Sequence, residues 1–223
     1  MKDSQKNTFL RYEADEWFNR NYNVILNYHP SNDYVLDLID KYKIKFGSIL
    51  EIGCSAGYRL NAIKNTNKNS QVFGIEPSEK AIKYGEKNFS DISFIHGTAD
   101  DLSYFDDESL DIVIVGFVFY VVDRNILMKV VAEIDRVLKN GGSIIIIDFF
   151  SEASLKTLYH HIDDFEAYSF KQNYDEIFTV SKLYYLIDKS TYNHSTKLLD
   201  SSNDFNNNYS IYLLKKDLNS SYK

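Results

Sequence analysis

Short unbroken apolar runs alternate along this chain with stretches whose apolar residues recur every three to four positions. The runs at 48–52, 72–75, 92–96, 110–116 and 143–148 are rich in Ile and Val and predict strands. Between them, 58–64, 79–87 and 124–138 carry helical spacing, with Leu60 and Ile63 on one side of the first. The last of these runs into Asn140, Gly141 and Gly142, a helix stop. A strand that is apolar at every position is covered on both faces, as in a parallel sheet beneath helices. Strand and helix alternate, so the fold class is α/β.

The last third changes character. Residues 174–181 have helical spacing, while 184–191 and 209–214 alternate polar with apolar or aromatic positions. The latter two predict an antiparallel strand pair closing the sheet edge. The Asn-rich stretch 206–208 predicts a turn before the second of them. Residues 152–173 are charged, aromatic and irregular. They follow the C-terminal end of a strand, where open α/β sheets place their ligand crevice.

With 223 residues and no internal repeat or low-complexity linker, the chain is expected to form a single domain. Hydrophobic residues make up 44% and charged residues 26%, which excludes a disordered or fibrous chain. The net charge of -7 argues against a nucleic-acid partner. The longest apolar run, 112–122, has 11 residues, whereas a bilayer span needs about 20. The first ten residues hold no apolar signal core, so the expected location is cytoplasmic. A single cysteine, Cys54, excludes an internal disulfide and a cysteine-rich metal site, and no metal is expected. The 18 tyrosines read mostly as half-buried strand residues.

The densest chemistry lies in Glu51-Ile52-Gly53-Cys54-Ser55-Ala56-Gly57. A strand runs straight into two glycines before a helix, which lets the backbone turn tightly and a ligand approach. Glu76 ends the next strand, where an acid can accept from both hydroxyls of a ribose. A dinucleotide fingerprint has a middle glycine where Ser55 stands and lacks an acid at Glu51, which would repel a pyrophosphate. A ligand with an ammonium group and a sulfonium centre suits Glu51 better, which points to S-adenosylmethionine rather than NAD. Cys54 reads as a small packed residue whose backbone lies near the ligand.

These residues resemble the class I S-adenosylmethionine-dependent methyltransferases. LEIGCSAG from Leu50 resembles their motif I, GIEPSEKA from Gly74 their next motif, and HGTADDLSYFDDESLDIVIVG from His96 the stretch flanking the adenine. EIDRVLKNGGSIIIIDFF from Glu133 resembles their helix and fifth strand. Within that family the chain is similar to the methyltransferase-11 group. The segment Tyr12-Glu13-Ala14-Asp15-Glu16-Trp17-Phe18-Asn19-Arg20-Asn21 resembles the opening of enzymes of bacterial surface-polysaccharide biosynthesis. So do Tyr159-His160-His161 and the stretch from Ser169 through Phe178. Ser55, Thr98, and Tyr120 with Val121 depart from the usual family residues.

The resemblance implies a Rossmann-like, doubly wound, mostly parallel seven-stranded sheet with an antiparallel last strand. Residues 1–223 then form one methyltransferase domain. It comprises an N-terminal helical cap (1–47), a cofactor-binding core (48–150), a substrate-side insertion (151–182), and a final strand pair with tail (183–223). It implies S-adenosyl-L-methionine as cofactor and S-adenosyl-L-homocysteine as product. The expected cofactor contacts are Tyr12, Trp17, Arg20, Glu51, Gly53, Cys54, Ser55, Gly57, Glu76, Pro77, Thr98, Ala99, Asp100 and Gly116.

A hydroxyl acceptor needs a base, and a histidine titrates in the right range. His161, with His160 beside it, is the expected catalytic base, because the pair falls in the insertion and His161 aligns with the subgroup motif. Lys171 and Tyr174 are further candidates for the acceptor. The expected reaction is O-methylation of a small molecule, a sugar or activated-sugar derivative such as a nucleotide-sugar or sugar acid. No nucleic acid, membrane span or defined oligomeric state is implied. The competing readings are an N- or carboxyl-methyltransferase, an NAD(P)-dependent oxidoreductase, and a non-catalytic cofactor-binding subunit.

Overall fold

The computed structural model describes residues 4–162, 166–200, 202 and 207–219. Three helices lead the chain: α1 (Gln5–Tyr12), α2 (Ala14–Leu26) and α3 (Tyr34–Lys41). The α1 N-cap is Ser4, whose hydroxyl accepts from the Asn7 N–H, and the α3 N-cap is Asp33, which accepts from Val35. Then strands and helices alternate: β1 (Ser48–Ile52), α4 (Tyr58–Thr66), β2 (Gln71–Glu76), α5 (Glu79–Asn88), β3 (Ser93–His96), β4 (Leu110–Gly116), α6 (Leu127–Val137) and β5 (Leu138–Phe149). The chain continues through β6 (Leu155–Leu158), β7 (Tyr168–Lys171), α7 (Asp175–Thr179), β8 (Tyr184–Asn193) and β9 (Asn208–Lys216).

Seven strands form one sheet in the order β3-β2-β1-β4-β5-β9-β8. The first five are mutually parallel, and β9 runs antiparallel to both neighbours. This is the mostly parallel, doubly wound Rossmann-like sheet that the family resemblance implies, with an antiparallel last strand. Every residue of β1 is buried, and β4 is buried except at Asp111 and Gly116, which are half-buried. One apolar layer beneath the sheet holds Leu50, Ile52, Val113, Val115, Ile144 and Ile146. The opposite layer holds Ile49, Ile112, Ile114, Ile145 and Ile147. Alternate residues of one strand thus serve opposite layers, which is why the runs carry no polar face.

Three expectations need correction. The helix expected over 124–138 starts at Leu127, because Arg124 turns back to bond the Val122 carbonyl at 3.2 Å. The stretch 152–173 is not irregular throughout: β6 and β7 pair antiparallel there as a separate two-stranded sheet. Its short strands carry charges and aromatics because most of their positions are not buried in a core. In the expected turn at 206–208, Asn206 lies outside the described residues, Asn207 is a turn residue and Asn208 already belongs to β9. Among the described residues no helix is long and apolar enough to cross a membrane.

Candidate functional site

The parallel strands end on one edge of the sheet, and a cavity of about 370 Å³ opens there. Its floor comes from Glu51 and Ile52 of β1, the turn 53–56, Ile75 and Glu76 of β2, residues 97–100 after β3, Gly116 at the end of β4, and Phe117, Val118 and residues 120–123 beyond it. Its roof comes from the N-terminal helices, through Lys6, Phe9, Leu10, Glu13, Ala14, Trp17, Val24 and Ile25.

The roof is tied down at several points. Gln5 Nε2 donates to the Val121 and Tyr168 carbonyls at 2.9 and 3.0 Å. Lys6 Nζ contacts both Asp100 oxygens, at 2.7 and 2.9 Å. Asp15 accepts from the Ser78 hydroxyl at 2.7 Å, which joins α2 to the start of α5.

The glycine turn has the backbone its composition demands. Gly53 and Gly57 have φ of +76° and +77°, a region a side chain rarely enters. The Gly53 and Cys54 N–H groups donate to the Ile75 carbonyl, which seats the turn against β2. A Cβ on Gly57 would meet Phe94 at 2.6 Å. Gly57 does not line the cavity; it is the N-cap of α4 packed on β3. Its role is close packing, which departs from the expected cofactor contact.

Glu76 is buried at the cavity wall. Its two oxygens accept from the Ser55 N–H at 2.8 Å and the Ser78 N–H at 2.9 Å. Burial pushes its carboxyl up to about 7, and the two N–H groups only partly counter that. Each oxygen keeps a lone pair for a further donor.

Glu51 is more telling. Its Oε1 is ion-paired with Arg59, whose Nε donates to Asp33 at 2.7 Å, and Asp33 also accepts from the Tyr28 hydroxyl at 3.0 Å. Glu51 Oε2 is buried and has no hydrogen-bond partner, and the same holds for the Ser55 hydroxyl. Burial raises the Glu51 carboxyl, and the Arg59 guanidinium opposes that. A buried carboxylate oxygen without a donor is costly. A ligand ammonium in the cavity would satisfy it, so the residues present fit a nucleoside that carries an amino-acid group.

The other expected contacts divide. Trp17, Cys54, Ser55, Pro77, Thr98, Ala99, Asp100 and Gly116 line the cavity. The Cys54 thiol is pushed up by burial and by Glu76 and Glu51, so it sits protonated and packed, not as a nucleophile. The Thr98 hydroxyl donates to Asp100 at 2.8 Å. Tyr12 and Arg20 do not line the cavity. Arg20 instead pairs with Glu13, seven residues earlier at the start of α2.

His160 and His161 are also off the cavity wall, on an exposed turn. Their neighbour Tyr159 is the residue that points inward, because β6 ends at Leu158 and the chain turns there. Tyr174 is fully buried, stacked on Phe119 and donating to the Phe170 carbonyl at 2.7 Å. That is a packing role, away from the expected acceptor contact.

Sequence reasoning passed over Arg59, Asp33, Tyr28, Glu13 and Tyr159. Arg59 had a signal: Glu51 needs a cation, and Arg59 lies in the first turn of the helix that follows. Glu13 and Tyr159 both fall in segments that carry the subgroup resemblance, but they are 146 residues apart and nothing local paired them.

Residues 50–146 match the model of the methyltransferase-11 family, described as a methyltransferase domain. A demethylmenaquinone methyltransferase of Staphylococcus carnosus is 32% identical over 133 residues, 56% of this chain and 53% of that protein. A tRNA N(3)-methylcytidine methyltransferase of Schizosaccharomyces pombe is 33% identical over 124 residues, 51% of this chain and 40% of its own length. The chain thus spans about half the length or less of these curated relatives.

Among solved structures, the 1,6-didemethyltoxoflavin-N1-methyltransferase of Burkholderia thailandensis, with S-adenosylhomocysteine bound, superposes with TM-score 0.71 at 9% identity. The match covers 97% of this chain and 92% of that one. A methyltransferase of Methanosarcina mazei gives 0.62 at 18% identity, over 82% and 98%. These likenesses show the fold.

Proposed function

We propose that this chain, whose residues 50–146 are a methyltransferase domain of the class I S-adenosylmethionine-dependent fold, methylates a small-molecule acceptor. The observation that carries the reading is the buried, unpartnered Glu51 Oε2 beside the glycine turn, with Glu76 across the same cavity. Glu51 would hold the ligand ammonium and Glu76 the ribose hydroxyls. The backbone at 53–55 would take the amino-acid portion, and residues 97–100 the adenine edge. When bound, S-adenosylmethionine supplies an activated methyl group on a sulfonium. The protein's share is to align acceptor, methyl and sulfur and to keep water out. The described residues of segment 1–47 act as a cap over the cofactor, and those of 151–182 form the acceptor side.

The flanking resemblances make the hydroxyl of an activated sugar one acceptor. A second acceptor class, a flat and mostly apolar ring, is favoured by the cavity wall, where Phe9, Phe117, Val118 and Val121 stand together. A nucleic-acid acceptor fits the net charge of -7 poorly.

Calorimetry tests the cofactor: S-adenosylhomocysteine should bind and NAD should not. NAD binding with no response to S-adenosylhomocysteine refutes the reading. S-adenosylhomocysteine release with UDP-galactose, galacturonate or catechol then sorts the acceptors.

A further inference from the structure

Phe117 belongs to two neighbourhoods. It lines the cavity, and its ring also meets those of Phe149, Tyr209 and His194, with centroids 5.3, 5.8 and 6.4 Å apart. Its φ is +53°, a conformation that bulky side chains rarely adopt and that concentrates at functional positions. The second neighbourhood lies on the sheet edge where the cavity opens. Phe149 ends β5 and pairs with Tyr209 near the start of β9, and His194 directly follows β8. The His194 ring is 5.4 Å from that of Phe149 and 6.0 Å from that of Tyr209. Two ammonium groups stand over the same rings: Lys171 of β7 at 5.2 Å from Phe149, and Lys197 at 5.6 Å from Tyr209. Among the described residues, the charged groups acting on His194 are these two lysines, and Tyr209 is the titratable ring in contact with it. Burial and the lysines hold the imidazole below its ordinary range, so it is mostly neutral at pH 7. In a chain of net charge -7, basic side chains from separate segments thus gather around one aromatic shelf. Like charges gathered in one place repel, and an anion among them relieves the repulsion.

We propose that Lys171, His194 and Lys197 form an anion subsite beside the cavity, for a carboxylate or phosphate carried by the acceptor. That the anion belongs to an acceptor rests on the methyltransferase reading above; the binding of an anion there does not. The anion meets the two ammonium groups and draws a proton onto His194, and charge-assisted hydrogen bonds hold it. Phe149 and Tyr209 form the apolar floor of the subsite. The uncharged part of the acceptor reaches past Phe117 into the cavity. An activated sugar supplies a phosphate and a sugar acid a carboxylate, so both carry the chemistry that this subsite recognises, and a neutral sugar does not.

The test follows the His194 Hε1 proton resonance, assigned with His194→Gln, from pH 5 to pH 8. Protein saturated with S-adenosylhomocysteine is titrated alone and with UDP-galactose, galacturonate or galactose. Neither anion titrates in that range. A bound anion should raise the His194 pKa by about one unit, a tenfold preference for the charged ring, and galactose should leave it in place. The charged ligand that gives the shift identifies the source, phosphate or carboxylate. Lys197 is exposed and Lys171 half-buried, so Lys197→Gln and Lys171→Gln are expected to fold. Each should raise the His194 pKa of the free protein by removing a repelling charge, and weaken the anion about 10-fold. A merely structural lysine would not change the response of His194 to a ligand. The proposal is overturned if neither anion moves the His194 pKa, if galactose moves it as far, or if both lysine variants bind the anion as wild type does. Methyl transfer to catechol with both anionic sugars inert also overturns it. If S-adenosylhomocysteine does not bind, the methyltransferase reading fails, and the same titration without it still decides whether the subsite holds an anion.

Discussion

Protonation of Glu76 should control nucleoside binding across neutral pH. Burial lifts its carboxyl to about 7 in the free protein, despite the N–H groups of Ser55 and Ser78. Two ribose hydroxyls donating to it would favour the charged form and pull the pKa back down. Binding therefore releases a proton wherever the free carboxyl is protonated and the bound one is not. The direction follows: affinity is full above pH 7 and is lost as pH falls below it. At pH 6 about nine in ten free molecules carry the proton, so affinity should be about 10-fold weaker than at pH 8, or about 1.4 kcal/mol.

The ligand of choice is 5′-methylthioadenosine, which keeps the ribose but has no ammonium for Glu51. Calorimetry at pH 6 in two buffers of different ionisation heat should register release of nearly one proton. Glu76→Gln should flatten the profile. It also separates Glu76 from His96, whose Nε2 lies 3.0 Å from the Pro77 carbonyl. A wild-type affinity unchanged between pH 6 and 8 would refute the assignment of Glu76 to the ribose.

Glu51→Gln should weaken S-adenosylhomocysteine by roughly 10- to 150-fold, the 1.5–3 kcal/mol of a charged hydrogen bond, while 5′-methylthioadenosine binding holds; equal losses for both ligands would take the ammonium away from Glu51. Gly57→Ala should destabilise the fold by roughly 1–3 kcal/mol, since φ is +77° and Phe94 blocks the new methyl at 2.6 Å; an unchanged melting temperature would contradict the close packing. His160→Ala and His161→Ala should leave turnover near native on any acceptor the screen finds, because both lie on an exposed turn off the cavity; a loss of about 100-fold in either would restore a histidine base.

Local chemistry settled much of this molecule before any tertiary contact was known. Five Ile/Val runs separated by helical spacing leave one economical arrangement, a sheet covered on both faces, and β1 through β5 realise it. Gly53, Gly57 and the acid ending β2 belong to a single βαβ unit. Their geometry is set by neighbours in sequence, so the Gly53 turn and Glu76 were legible.

Tertiary structure decided whatever depends on residues far apart. Glu13 is an unremarkable residue of the turn between α1 and α2 until Tyr159, 146 positions away, donates to it. Lys6 closes on Asp100 from 94 positions away. The histidine pair and Tyr159 are adjacent in sequence, and only the turn after β6 determines which of them faces the cavity. Period and propensity describe which face of an element is apolar. In a segment as short and exposed as β6, Leu-Lys-Thr-Leu, that signal vanishes, and Tyr159 just beyond it is oriented by its contacts with Phe9 of α1 and with Tyr120.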